Sequence, residues 1–261
     1  MEQMKNIRKE EQIAALRAQL ARLEPAARAR GRPGDAAPLA VAPGRLHDLY
    51  AQTAADAPSA NAFALGLALT AAGGRPLVWC LHDRMGQEAG QPYGLGLNEL
   101  GLRPETLLLV RARDIQTLLA VGEEAARSPA VGAVVLSAWG EARALTLTAS
   151  RRLAMAAASG GAAVLLTRAG AAPQPSAAET RWSVAAAAST PLEALAPGRP
   201  AFRLTLERSR EGGPPRTWIM EWDRERRSFI EPASLSGDLV PLAAQRPAGT
   251  PAAAARSRHA A

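Results

Sequence analysis

The residues able to do chemistry are few in this chain, and their spacing argues against most kinds of catalysis. The only lysines among its 261 residues are Lys5 and Lys9. A phosphate-cradling loop needs glycines for close backbone approach, a lysine for the β/γ charge and a Ser/Thr for magnesium. No G-x-x-x-x-G-K-[ST] run occurs. His47, His82 and His259 are scattered, without the helical spacing that places two imidazoles on one metal. Cys80 is the single cysteine, which excludes an intramolecular disulfide and a multi-cysteine zinc site. It lies in an apolar run, where a thiol is an inert core group. Ser137 lacks the G-x-S-x-G turn that would expose a nucleophile. No catalytic, cofactor-binding or metal residue is therefore expected. One stretch has binding chemistry. Arg203, Arg208, Arg210 and Arg216 interleave with Trp218 and Trp222, a pattern that can pair phosphates and stack bases. Glu207, Glu211, Glu221, Asp223 and Glu225 interrupt it, which favours a solvated hairpin with its tryptophans in the core over a nucleic-acid contact.

Charge sharpens this. The formal net charge is +7. Residues 1–32 hold eight Lys/Arg against four Asp/Glu, and residues 241–261 hold three Arg and no acid. The stretch between them is neutral, so the excess basicity sits in the two ends. A neutral core argues against a domain whose whole surface tracks phosphates, while basic ends could touch DNA weakly or meet an acidic partner. No apolar signal run opens the chain and no stretch approaches the roughly 18 residues of a membrane span. A cytoplasmic protein with no membrane contact is expected.

The elements that must position these residues follow from periodicity. Ile13, Leu16, Leu20 and Leu23 form one seam of an amphipathic helix over residues 1–25. Pro25 ends it, and residues 26–40 read as a Gly/Pro/Arg/Ala linker. A helix separated by such a linker is expected to dock its seam on the core, a second copy or a partner. Residues 41–235 then alternate. Strands are expected at Gly44–Tyr50, Pro76–Leu81, Leu107–Arg111, Gly132–Ser137 and Ala162–Thr167. Helices are expected at Ser59–Ala72, Gln91–Leu100, Asp114–Arg127 and Leu145–Ser159. Apolar strands without alternation are buried on both faces, as in a parallel sheet covered by helices. After Gly170 the rhythm changes to antiparallel strands at Arg181–Ala188, Phe202–Arg208 and Thr217–Trp222. Residues 241–261, rich in Ala, Pro and Arg, are expected to be a disordered basic tail.

This order of elements resembles the core domain of RecA recombinases. Leu107–Trp139 (LLLVRARDIQTLLAVGEEAARSPAVGAVVLSAW), Ser150–Thr167 (SRRLAMAAASGGAAVLLT) and Ala178–Ala186 (AETRWSVAA) carry the resemblance. Within that superfamily "PLVWC", "LTASRRLAMAA", "PSAAETRW" and "TWIMEWD" are similar to the ImuA family, RecA-like and SulA-like accessory proteins of bacterial mutagenesis operons. The resemblance implies an α/β fold: a mostly parallel, doubly wound sheet with C-terminal antiparallel strands, plus an N-terminal helix. It implies a role in damage-induced, error-prone translesion synthesis, bridging an ImuB-like inactive polymerase homologue and an error-prone C-family polymerase. RecA or a second copy of the chain are further candidate partners, and association with the nucleoid would come through the complex.

The resemblance also locates what is missing. The phosphate loop would lie in "AQTAADAPSANAF", which has neither glycine nor lysine and adds Asp56. The Walker B carboxylate position is Ser137. Asp83 lies near where RecA proteins carry a catalytic glutamate, but one carboxylate without lysine, loop or magnesium partner does not make an ATPase. A pseudo-ATPase adaptor is the resulting expectation. Its rivals are a SulA-type cell-division inhibitor, a DNA-binding recombination mediator of the RecA superfamily and a residual nucleotide binder. The long N-terminal leader argues against the SulA-type reading.

Overall fold

The computed structural model describes residues 39–232 apart from 192–195 and 197. The Ile13–Leu23 seam, most of the linker and the basic tail lie outside the described residues. Nine strands form one sheet, in spatial order β3-β2-β4-β5-β1-β6-β7-β8-β9. They are β1 (Leu46–Ala51), β2 (Leu77–His82), β3 (Leu107–Ala112), β4 (Ala133–Trp139), β5 (Ala163–Ala169), β6 (Thr180–Ala186), β7 (Ala201–Ser209), β8 (Arg216–Asp223) and β9 (Ser228–Ile230). The helices are α1 (Ala57–Ala72), α2 (Asp83–Glu88), α3 (Gly94–Leu100), α4 (Ile115–Arg127) and α5 (Leu147–Gly160).

β1 to β6 are parallel, and β7 to β9 are antiparallel. The sheet is doubly wound and mostly parallel with an antiparallel C-terminal edge, as expected from the sequence. β1, β2, β4 and β5 are almost wholly buried because helices cover both faces. α1, α2 and α3 pack on one face with Leu49, Leu81, Val135 and Leu165. α4 and α5 pack on the other with Leu46, Cys80, Leu136 and Leu166. The side chains of Asp114 and Thr146 cap α4 and α5 by accepting the backbone N–H of Thr117 and Ala149.

Three features differ from the sequence reading. β6 runs parallel to β1, so the antiparallel part begins only at β7. The chain reaches β6 by a helix-free strap, residues 170–179, that passes over β1 on its α5 side; a crossover without a helix leaves no periodic signal. α2 was not expected, since six residues are too short to show a period. β3 is apolar but lies at the sheet edge, with Leu108 60% and Leu109 41% exposed.

The antiparallel strands curl towards α1, which explains why that helix is apolar all round. Phe63 of α1 meets Trp182, Phe202 and Phe229 at centroid distances of 6.0, 6.1 and 5.0 Å. Gly66 gives the room: a Cβ there would stand 2.6 Å from Phe229 Cζ. Trp222 is buried and donates Nε1–H to Leu100 O, while Trp218 packs on Trp182 at 5.9 Å. Trp222 is therefore a core residue, and Trp218 is half-buried against the edge of the core.

Candidate functional site

Open α/β sheets place their sites beyond the carboxyl ends of the strands. Here β1 and β5 present different chemistry on the two faces of that end, because successive strand residues alternate sides. On the α1 side, Asn61 Oδ1 accepts hydrogen bonds from Ser137 Oγ (2.8 Å) and Thr167 Oγ1 (2.7 Å). Trp79 Nε1 donates to Ser137 Oγ at 2.9 Å. None of these four side chains leaves a fully buried polar atom unpaired, and none is charged. Ser137, which the sequence resemblance would set at the Walker B position, is one member of a neutral hydrogen-bonded network.

The loop before α1 is equally self-contained. Asp56 accepts from the backbone N–H of Thr53 (3.0 Å) and of Ala186 (2.9 Å) and from the Thr53 hydroxyl. Slight burial works against its ionisation, but those hydrogen bonds and the charge of Arg203 prevail and lower its pKa. A fixed carboxylate therefore occupies the helix N-terminus where a phosphate would need positive potential. Asp83 accepts from Arg111 Nε at 3.0 Å, an ordinary ion pair at the ends of β2 and β3.

On the α5 side lies a cluster that the sequence reading did not single out. Asp48 and Arg168 are 1% and 2% exposed, and Tyr50 is buried between the charged groups. The guanidinium carbons of Arg168 and Arg181 lie 5.5 and 5.6 Å from the Tyr50 ring centroid. The Ser176 hydroxyl donates to Asp48, whose other oxygen is buried without a partner. Burial raises the Asp48 pKa, opposed by the Ser176 hydrogen bond and by Arg181, Arg168 and Arg208. A shallow depression opens here, lined by Tyr50, Leu145, Thr146, Ser150, Arg168 and Ser176 among others.

The strap roofs this cluster. Arg181 Nη2 donates to Gln174 O, Arg208 Nη2 to Ala178 O (2.9 Å) and Arg210 Nη2 to Ala177 O (2.9 Å). Ala177 N–H donates to Ser150 Oγ at 3.0 Å, and Gln174 N–H to Tyr50 Oη at 3.2 Å. Of the arginines proposed from sequence to contact nucleic acid, Arg208 and Arg210 are bonded to the strap, while Arg203 and Arg216 are exposed on the hairpin. A bulge separates them. Arg181 faces Arg208 but Trp182 faces Leu206, so Glu207 is unpaired and Arg208 turns onto Arg181's side. The available signal was Asp48 inside "LHDLY" and Arg168 after "AVLLT", charges in strands otherwise apolar.

His47 and Cys80 are buried and have no catalytic partner. His47 Nδ1 shares a 2.8 Å hydrogen bond with the Thr180 hydroxyl, and burial holds its pKa down to about 4, with the Ala42 backbone opposing and Arg45 assisting. Burial pushes the Cys80 thiol up to about 11. Among the described residues no group of three His, Cys, Asp or Glu is placed to hold a metal, and no helix is long and apolar enough to cross a membrane.

No family model matches the chain. A solved chain with a similar course, a RadB recombinase, superposes with a TM-score of 0.46 at 16% identity, covering 72% of this chain and 90% of that one. Protein ImuA of two strains of Caulobacter vibrioides, NA1000 / CB15N and ATCC 19089 / CB 15, is 36% identical over 176 residues, which is 63% of this chain and 68% of each relative. That identity runs through most of the relatives' length and agrees with the motifs carried by β2, α5, β6 and β8: the chain belongs to the ImuA family.

Proposed function

We propose that the chain is a non-catalytic RecA-fold adaptor in damage-induced, error-prone translesion synthesis, bridging an ImuB-like protein and a C-family polymerase. The observation that carries this reading is the closed neutral network of Asn61, Ser137, Thr167 and Trp79. Magnesium and triphosphate need carboxylate and ammonium groups there, and the buried polar atoms have already satisfied one another. A pseudo-ATPase follows, whose remaining resource is surface.

An apolar surface is available. Of the seven large hydrophobic residues most exposed among the described ones, Tyr93, Leu95, Leu108 and Leu109 fall within one short stretch. β3 has no strand outside it among the described residues. An apolar edge strand supports main-chain pairing with a partner, and natural proteins protect such edges when they are not used. The Ile13, Leu16, Leu20 and Leu23 seam would be a second docking element, joined to the 41–235 core by residues 26–40.

Co-purification with an ImuB-like protein tests the reading. Leu108→Lys with Leu109→Lys places charges on the edge while leaving the core intact, and Leu16→Glu with Leu20→Glu does the same to the seam. Loss of capture in either double variant, with unchanged melting of the core, is expected. Full capture by both variants would contradict the adaptor reading.

A further inference from the structure

The three arginines around Asp48 are not equivalent. Arg181 and Arg208 each direct Nη2 at a strap carbonyl, leaving only Nε buried and unpaired. Arg168 holds no carbonyl. Its Nη1 reaches Tyr50 Oη at 3.3 Å, and both Nε and Nη2 are buried without a hydrogen-bond partner. Those two nitrogens form one edge of the guanidinium, the fork that matches two oxygens of a carboxylate or phosphate. Glu141 stands 3.9 Å from Nη2 and does not close the fork, because Ala172 N–H and Gln174 Nε2 hold its carboxylate at 2.7 and 2.8 Å. A fully buried guanidinium with an empty fork is a costly arrangement unless something fills it.

The surroundings suit an anion. Arg168, Arg181 and Arg208 outnumber Asp48 and Glu141 by one charge. Asp48 is engaged by the Ser176 hydroxyl and lies 3.9 Å from Arg181. The depression is lined by Asp48 and also by Thr146, the N-cap of α5, and Ser150 in its first turn, where the helix dipole favours negative charge. Its floor has room for about one water-sized atom, and its mouth is open to solvent. Nε and Nη2 of Arg168 have almost no accessible surface, so one oxygen of a larger group reaches them by displacing the side chains that cover them, while its body stays at the mouth.

We propose that this depression is an oxyanion site, in which Arg168 receives one phosphate-type group presented from solvent. It lies on the opposite face of the sheet from Asn61 and Ser137, so it is separate from the nucleotide position that the fold has closed. It also stands or falls independently of the adaptor role. An anion here would tie the strap to β5 and to the start of α5.

The test is a titration of inorganic phosphate with the full chain, followed by ³¹P line broadening at constant ionic strength, with chloride, sulfate and acetate as competitors. Saturable binding in the low-millimolar range or tighter is expected, displaced by sulfate and not by chloride. Arg168→Met should weaken it at least about tenfold, Arg168→Lys should fall between, and Arg216→Met on the distant hairpin should leave it unchanged. Displacement by acetate as effective as by sulfate would assign the site to carboxylates and overturn the phosphate assignment. Absence of saturable binding to the wild-type chain, equal competition by chloride, or equal loss in Arg216→Met would overturn the site itself.

Discussion

Thr167 and Arg168 are neighbours on β5, yet they serve two regions with opposite electrostatics. Thr167 enters the neutral network under α1, in which Asn61, Ser137, Thr167 and Trp79 leave no fully buried polar atom unpaired. Arg168 enters the cluster under the strap, where charges are buried and several nitrogens are not. The four side chains of the first network satisfy one another, and the charged groups of the second cluster do not. Residual strain of this kind collects where a fold keeps a binding function. The comparison therefore sets a neutral, hydrogen-bonded network against a charged cluster, and the two proposals made above concern one region each.

The sharpest way to break this contrast is to exchange charge between the two sides. Ser137→Asp places a carboxylate in a buried network whose hydrogen bonds are already made and which holds no cation. It is expected to destabilise the core by about 3 kcal/mol or more, read from the shift in urea midpoint. Little change would mean that the network is wet and could still admit an ion. Arg168→Met, on the other side, removes a buried charge with few partners. Its expected effect on stability is neutral or a gain of about 1 kcal/mol; a loss as large as that of Ser137→Asp would make Arg168 a structural group and erase the distinction.

His47 tests the α1 side by pH. Its folded pKa of about 4 lies below the unfolded value of 6.5, so the unfolded chain binds the extra proton between them. Stability attributable to His47 is full above about pH 6.5 and falls as pH drops towards 4, by up to about 3 kcal/mol. Asp48, with its raised pKa, contributes with the opposite sign, so the difference between wild type and His47→Asn isolates the histidine. An identical pH dependence in the two proteins would contradict a buried neutral imidazole. The smallest effect is expected at Cys80: iodoacetamide at pH 8 should not label the native thiol, because it is buried and its pKa is near 11. Rapid labelling would show that β2 is accessible.

Much of the architecture was legible because its signals are local. "AVVLS" and "AVLLT" are apolar runs too continuous for a half-exposed strand, and both are interior strands of the parallel sheet. The closed network was legible in part, through Ser137 at a position that needs a carboxylate, although Asn61 and Trp79 gave no sign of converging on it. The arginine cluster was hidden for three physical reasons. Its parts come from β1, β5, β6 and β7, and only pairing brings them together. The strap that roofs it has no period. The bulge beside Glu207 reverses the facing of Arg208, so simple alternation sends that side chain to the wrong side. The edge position of β3 was hidden because an apolar edge strand and an apolar interior strand read alike.

The non-catalytic adaptor proposed above should bind no nucleotide on the Asn61 and Ser137 side of the sheet. Calorimetry with magnesium and ATP tests it most directly, performed on both the wild-type chain and Arg168→Met so that phosphate contact on the strap side is counted separately. No binding tighter than about millimolar is expected in Arg168→Met, a free energy of only about 4 kcal/mol, and no turnover above a protein-free control in either protein. Micromolar binding that survives in Arg168→Met, or any turnover, would contradict it.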